Sequence, residues 1–298
     1  MNILSGLKKT KVGKIYENVD LSNYTTYKLK CKGKYLVVPS DMEDLLRLMK
    51  YIKDNNLKYK VIGGGSNLIF KDSVYDGILV SLEKFDDIAF RDTIVHVGSG
   101  ASLMKVALKA SRLGLTGMEF ATGIPGTVGG AIFNNSGAYK SDMGYIVESV
   151  TVLTPDLKIK VLYNKDMDFH YRTSFLKKNL GYICLDAKII LKKGDKDEIH
   201  SIIEDRKQRR LMTQPLEYPS AGSVFRNPEG MYAGELIEKA GYKGKIIGGA
   251  QVSLKHANFI INSGGATGED IVTLIDEIKR TVKEKYNVDL VLEQEIVE

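Results

Sequence analysis

The stretch Gly123-Ile124-Pro125-Gly126-Thr127-Val128-Gly129-Gly130-Ala131-Ile132-Phe133-Asn134-Asn135-Ser136-Gly137-Ala138-Tyr139 decides how this chain is read. Its five glycines permit positive φ and close backbone approach, while Pro125 fixes one bend and removes one N–H. The segment therefore reads as a rigid loop with bare amides, a shape that suits a phosphate or pyrophosphate. It is neither of the two commonest nucleotide fingerprints: no Lys-Ser/Thr follows a Gly-x4-Gly, and no Gly-x-Gly-x-x-Gly is present.

A second cluster, Gly63-Gly64-Gly65-Ser66-Asn67, follows the apolar pair Val61-Ile62, where a strand would end and its loop could meet a phosphate. Alone, either cluster could be a plain tight turn. Together with Gly98-Ser99-Gly100 they point to a dinucleotide.

The chain has 298 residues, more than one compact core usually serves, so two or more domains are expected. Its 43 basic and 37 acidic residues leave a net charge of +6, and the lysines are scattered rather than blocked. Such a surface suits a small anionic substrate better than a nucleic acid. The only cysteines, Cys31 and Cys184, form no Cys-x-x-Cys pattern, and the four histidines lack metal-ligand spacing, so no disulfide framework and no metal are expected. No apolar run has the length of a signal peptide core or a membrane span, and a cytoplasmic protein, monomeric and without membrane insertion, is the expectation.

Along the chain, after a polar lead, strands are expected at 35–38, 57–62, 78–82, 93–97, 147–153, 157–162 and 182–191. Helices are expected after a capping box at Ser40-Asp41-Met42-Glu43, over the inward-facing Leu103, Val106, Ala107 and Ala110, and from 195 to 212. Beyond Gln214-Pro215 come a helix at 232–240, a strand at 257–261, a helix capped by Thr267, and a strand from Val288 onward. This pattern is α+β with a mixed sheet, divided at about residue 195.

Five blocks in this order resemble the UDP-N-acetylenolpyruvoylglucosamine reductase family: Gly63 to Asn67, Gly123 to Tyr139, Tyr171-Arg172-Thr173-Ser174-Phe175, Ala221-Gly222-Ser223-Val224-Phe225-Arg226-Asn227-Pro228, and Lys255-His256-Ala257-Asn258-Phe259-Ile260-Ile261-Asn262. The resemblance runs from about Tyr24 to Ile296. It implies a two-lobed FAD-binding domain of the vanillyl-alcohol-oxidase type over 20–194, with lobes at about 20–82 and 83–194. An α/β substrate-binding cap over 195–298 would follow. The chain lacks the tyrosine-bearing insertion of one branch and resembles the shorter branch, which implies a more open cleft.

The resemblance also implies a reaction: NADPH reduces FAD, and hydride then reduces the enolpyruvyl ether of UDP-N-acetylglucosamine to UDP-N-acetylmuramate for peptidoglycan. Charge pushed into the substrate carboxylate needs a cation, hydrogen bonds and a proton. Ser223 matches the family's proton donor, Arg172 the carboxylate-binding guanidinium, and Glu295 the glutamate that polarises the enolpyruvyl end. Glu293 lies two residues from Glu295, on the same side of a strand, so alternation alone does not separate them.

FAD contacts are implied for Gly63, Gly64, Gly65, Ser66, Asn67, Gly123, Pro125, Gly126, Thr127, Gly129, Gly130, Asn134, Gly137 and Ala138. Substrate contacts are implied for Tyr171, Arg226, Asn227, Lys255 and His256. The alternative reading is another flavin oxidoreductase of the same fold, acting on an alcohol or sugar and lacking the set of Arg172, Ser223 and Glu295.

Overall fold

Alternating apolar residues make Val147–Leu153 an interior strand of a five-stranded antiparallel sheet centred on Ile183–Ile190. Its order is Ile159–Tyr163, Val147–Leu153, Ile183–Ile190, Ile94–Gly98 and Ile88–Arg91. Val150, Val152, Ala187, Ile189, Val95 and Val97 are buried, and they pack with Val106, Ala107 and Ala110 of the helix Leu103–Arg112. That helix begins at Ser102, whose side chain accepts the Lys105 amide.

The computed structural model describes residues Ile3 to Glu298 and divides into two compact units. Among the described residues the first comprises 3–17, 35–64 and 77–207; the second comprises 18–34, 65–76 and 208–298. Two short segments from the first eighty residues thus belong with the carboxy-terminal part.

Within the first unit a further core forms around the helix Met42–Asp54, where Leu45, Leu48, Met49 and Ile52 bury against Ile78, Val80, Leu153 and Leu185. Residues 59–62 pair in parallel with 78–81, so the Gly63 cluster leaves the carboxyl end of a parallel strand. The cap of this helix is Asp41 rather than Ser40. Asp41 accepts the Asp44 amide at 2.9 Å, and the Asp44 carboxylate reaches back to the Ser40 amide at 3.0 Å. The polar lead is also more ordered than its composition suggests, with a helix at Ile3–Thr10 and a strand at Lys14–Asp20.

The second unit is built on the helix Gly268–Tyr286, whose buried stripe Ile271, Leu274, Ile275, Ile278 and Val282 faces Ala233, Ile237, Ala250, Val252 and Ile260. Thr267 and Asp270 form its capping box. A three-stranded antiparallel sheet runs through Ile246–Ile247, Ala250–Val252 and Ile260–Asn262. The strand expected at 257–261 is therefore shorter and later, because Phe259 turns back onto the His256 carbonyl.

The strand expected from Val288 onward is confined to Glu295–Val297, which pairs in parallel with Leu68–Phe70. Residues 291–293 are instead drawn to the Ser223 loop. The Arg226 amide donates to Val291, the Glu293 amide donates to Val224, and Phe225 bridges Leu292.

Candidate active site

In the first unit the glycine loops converge. A Cβ built on Gly64 would lie 2.8 Å from the Gly126 Cα, and one on Gly63 would lie 2.5 Å from the Thr127 hydroxyl. Only bare backbone fits there, so the loop after the parallel strand and the loop at 123–130 form one seam. The third cluster joins behind it. Gly129 donates to the Ser99 carbonyl at 2.8 Å and Val128 to Ala101 at 2.9 Å, while Gly126 accepts from Leu103 at 3.1 Å.

These bonds correct the expectation of bare amides over the whole loop. Val128, Gly129 and Gly130 use their N–H groups inside the protein, the last on the Thr127 hydroxyl at 3.3 Å. Gly129 is likewise demanded by protein packing, because a Cβ there would press on Ser99. Gly126 has φ +113°, which only glycine adopts easily. Pro125 is exposed, Gly123 is half-buried, and Ala138 pairs with Ser141 in a two-residue hairpin. A Cβ on Gly137 would meet the Asp142 side chain at 2.5 Å. Asn134 spans the Gly130 carbonyl, to which it donates at 3.1 Å, and the Lys177 ammonium, which it accepts at 2.7 Å.

The Arg172 block is fastened to the end of this loop. His170 and Thr173 exchange backbone hydrogen bonds across a tight turn. Arg172 sits in that turn with φ +58°, a conformation disfavoured for a side chain with a Cβ. Its Nη2 donates to the Gly137 carbonyl at 2.8 Å, and its guanidinium lies 5.1 Å from the exposed Tyr171 ring. Asn135, 1 % exposed, holds the turn by donating to the His170 carbonyl and accepting the Gly144 amide. Ser174 adds a bond to the Phe133 carbonyl at 2.8 Å.

In the second unit Ser223 and the Glu295 segment are neighbours. The Ser223 loop is held on one edge by residues 291–293 and on the other by Asn258. The Asn258 side chain donates to the Phe225 carbonyl at 2.8 Å and accepts the Phe225 amide at 2.9 Å. The Glu295 amide donates to the Asn67 carbonyl at 2.9 Å, and Asn67 Nδ2 donates to the Glu293 carbonyl at 3.1 Å. Asn67 thus has work in the glutamate segment. Gly65, at φ +60°, packs against the backbone of Tyr24 and Thr25, and Ser66 follows it half-buried.

Arg226 Nε is buried with no hydrogen-bond partner among the described residues. A guanidinium nitrogen left so is a standing site for an acceptor. Asn227 accepts the Ala233 amide at 3.1 Å and so supports the start of the helix Ala233–Lys239. Lys255 is exposed and faces Glu217 at 3.7 Å. Burial pushes the His256 imidazole below its ordinary value, and its Nδ1 accepts the Asn258 amide at 3.1 Å.

Asn135, Asn258 and Gln294 were not singled out from sequence. The first two lie inside quoted blocks, and Gln294 stands between the two glutamates already in view.

Comparison with known proteins settles the family. Residues 33–162 match the FAD binding domain model, and residues 214–297 match the model of the UDP-N-acetylenolpyruvoylglucosamine reductase C-terminal domain. The UDP-N-acetylenolpyruvoylglucosamine reductase of Anoxybacillus flavithermus is 46 % identical over 98 % of this chain and 97 % of its own. The chain belongs to the UDP-N-acetylenolpyruvoylglucosamine reductase family.

The crystal structure of the UDP-N-acetylenolpyruvylglucosamine reductase of Thermus caldophilus matches with a TM-score of 0.80. It is 32 % identical, with 96 % of this chain and 98 % of that one covered. Berberine bridge enzyme, at 15 % identity and a TM-score of 0.50 over 65 % of this chain and 44 % of its own, shares the fold alone. The architecture is thus α+β: an FAD-binding domain of the vanillyl-alcohol-oxidase type with the C-terminal domain of the reductase family. No helix among the described residues is long and apolar enough to cross a membrane.

Proposed function

We propose that this chain catalyses the NADPH-dependent reduction of UDP-N-acetylenolpyruvoylglucosamine to UDP-N-acetylmuramate, in the cytoplasm and as a monomer, for peptidoglycan precursor synthesis. The whole-length likeness to reductases of that name supports the substrate. The observation that carries the site is the pairing of the Ser223 loop with the segment leading to Glu295, bonded through Val224 and Glu293 at 2.8 Å.

The seam of Gly63, Gly64, Gly126 and Thr127 fits a dinucleotide pyrophosphate, because side chains are excluded there and backbone can approach the anion. FAD, when bound, supplies hydride taken from NADPH. Arg172 holds the substrate carboxylate: its turn fixes the guanidinium, and a planar fork of donors matches two carboxylate oxygens as their charge grows. Ser223 gives its hydroxyl proton to the carbon bearing the enolate charge, a transfer that a weak acid can make only to a strong base at hydrogen-bond distance. Glu295 polarises the enolpyruvyl end. Arg226, with its Nε unspent, takes an anionic oxygen of the nucleotide sugar, and Tyr171, Asn227, Lys255 and His256 line the substrate side.

The test is spectroscopic. Purified protein should be yellow, NADPH should bleach the flavin band anaerobically, and UDP-N-acetylenolpyruvoylglucosamine should restore it. Bleaching that persists after that substrate is added would overturn the assignment.

A further inference from the structure

Gln294 lies between Glu293 and Glu295 but is almost fully buried, at 3 % exposure. Its Nε2 donates to the carbonyls of Ala221 and Gly222 at 3.1 Å and of Ser223 at 3.4 Å, while its Oε1 accepts the Tyr27 hydroxyl at 2.9 Å. The orientation of the carboxamide is forced. Carbonyls only accept, so the NH2 group must face the loop, which leaves the oxygen to Tyr27 and makes that hydroxyl the donor. Tyr27 is itself wholly buried, so the grip is anchored in the core of the second unit.

The loop needs such a grip. Gly222 stands at φ +75°, and nothing lies within 4 Å of where its Cβ would be, so packing does not fix the backbone immediately before Ser223. Asn258 clamps the loop only from Val224 onward. Residues 221–223 are held by Gln294, which belongs to the same short segment as Glu295.

We propose that Gln294 is a positioning residue for Ser223: with Tyr27 it locks the carbonyls of residues 221–223 and so sets the serine hydroxyl in register with Glu295. The inference rests on the reading of Ser223 as proton donor. A displacement of about 1 Å at a reacting group can cost about 100-fold in rate, so an unheld loop would be slow in protonation while hydride uptake from NADPH is untouched.

The experiment is stopped-flow on the flavin-loaded enzyme, following bleaching by NADPH and recovery with UDP-N-acetylenolpyruvoylglucosamine separately, for Gln294→Met, Tyr27→Phe, Ser223→Ala and Gln294→Met/Ser223→Ala. Gln294→Met keeps the volume and removes every polar contact; Tyr27→Phe deletes one hydroxyl and serves the same purpose should the first variant not fold. The expected result is recovery slowed about 10- to 100-fold in Gln294→Met and less in Tyr27→Phe, with bleaching unchanged. In the double variant, recovery should be no slower than in Ser223→Ala. Normal recovery in Gln294→Met, or in Tyr27→Phe where only that variant folds, overturns the proposal provided Ser223→Ala is slow. So does equal slowing of both half-reactions, which marks a purely structural role. Normal recovery in Ser223→Ala removes the reading of Ser223 itself, and the proposal with it.

Discussion

The amide of Gly129 donates to the carbonyl of Ser99 at 2.8 Å, and a Cβ built on Gly129 would stand 2.8 Å from the Ser99 Cβ. The glycine is therefore fixed by contact between two protein loops. Gly129→Val should destabilise the flavin-free protein by about 1–3 kcal/mol, the usual cost of overpacking. Thermal unfolding of the apoprotein checks this. An unchanged midpoint with lost flavin would mean that the cofactor, and not Ser99, occupies that space.

A substitution at Arg172 tests the proposed carboxylate site. Arg172→Lys keeps the charge but loses the planar fork and the bond to Gly137. Turnover of the enolpyruvyl substrate should fall by about 100-fold, roughly 2.7 kcal/mol of transition-state stabilisation, with reduction by NADPH unchanged. Steady-state kinetics together with anaerobic bleaching separate the two. Wild-type turnover would show that a point charge suffices there.

Ser223→Ala removes the proposed acid and leaves the hydrogen bonds of Val224 and Phe225 in place. Flavin recovery with substrate should slow by about 10² to 10⁴, the range for general acid catalysis. Bleaching by NADPH should keep its rate. Partial recovery of activity in Ser223→Cys would further support proton donation.

His256 carries a pH dependence. Its folded pKa is depressed below 6.5 by burial, and its Nδ1 must stay unprotonated to accept the Asn258 amide. The unfolded chain then takes up the proton first as pH falls. Stability is full above about pH 6.5 and is lost as pH drops through the folded value. Chemical denaturation at stepped pH should show a shallower acid limb in His256→Gln than in wild type; identical limbs would assign the loss to other groups.

Arg172 in Tyr-Arg-Thr-Ser-Phe and Ser223 in Ala-Gly-Ser take their proposed roles from the resemblance of whole blocks, because a single arginine or loop serine announces no chemistry by itself. The glycine clusters, by contrast, could be read from local order. Helix faces such as Ile271, Leu274, Ile275 and Ile278 were equally plain from their spacing. Long-range pairing was not. Nothing local in Leu68–Phe70 announces Glu295–Val297 as its partner, and nothing in a glutamine between two glutamates announces three carbonyls from residues 221–223. The Asp41 cap was missed by one residue because Ser40 and Asp41 both suit an N-cap, and what separates them is the Asp41 side chain accepting the Asp44 amide.

The parallel pairing of Leu68–Phe70 with Glu295–Val297 also orders events during synthesis. Residues 68–70 emerge early, yet their strand partner is translated more than two hundred residues later. Until residues 295–297 clear the ribosome, the apolar edge of Leu68, Ile69 and Phe70 lacks the strand that covers it in the folded protein, and Asn67 lacks the main chain it bonds. Glu295, the glutamate proposed to polarise the substrate, arrives with the strand that completes this sheet, so a nascent chain gains that residue only as it loses the exposed edge.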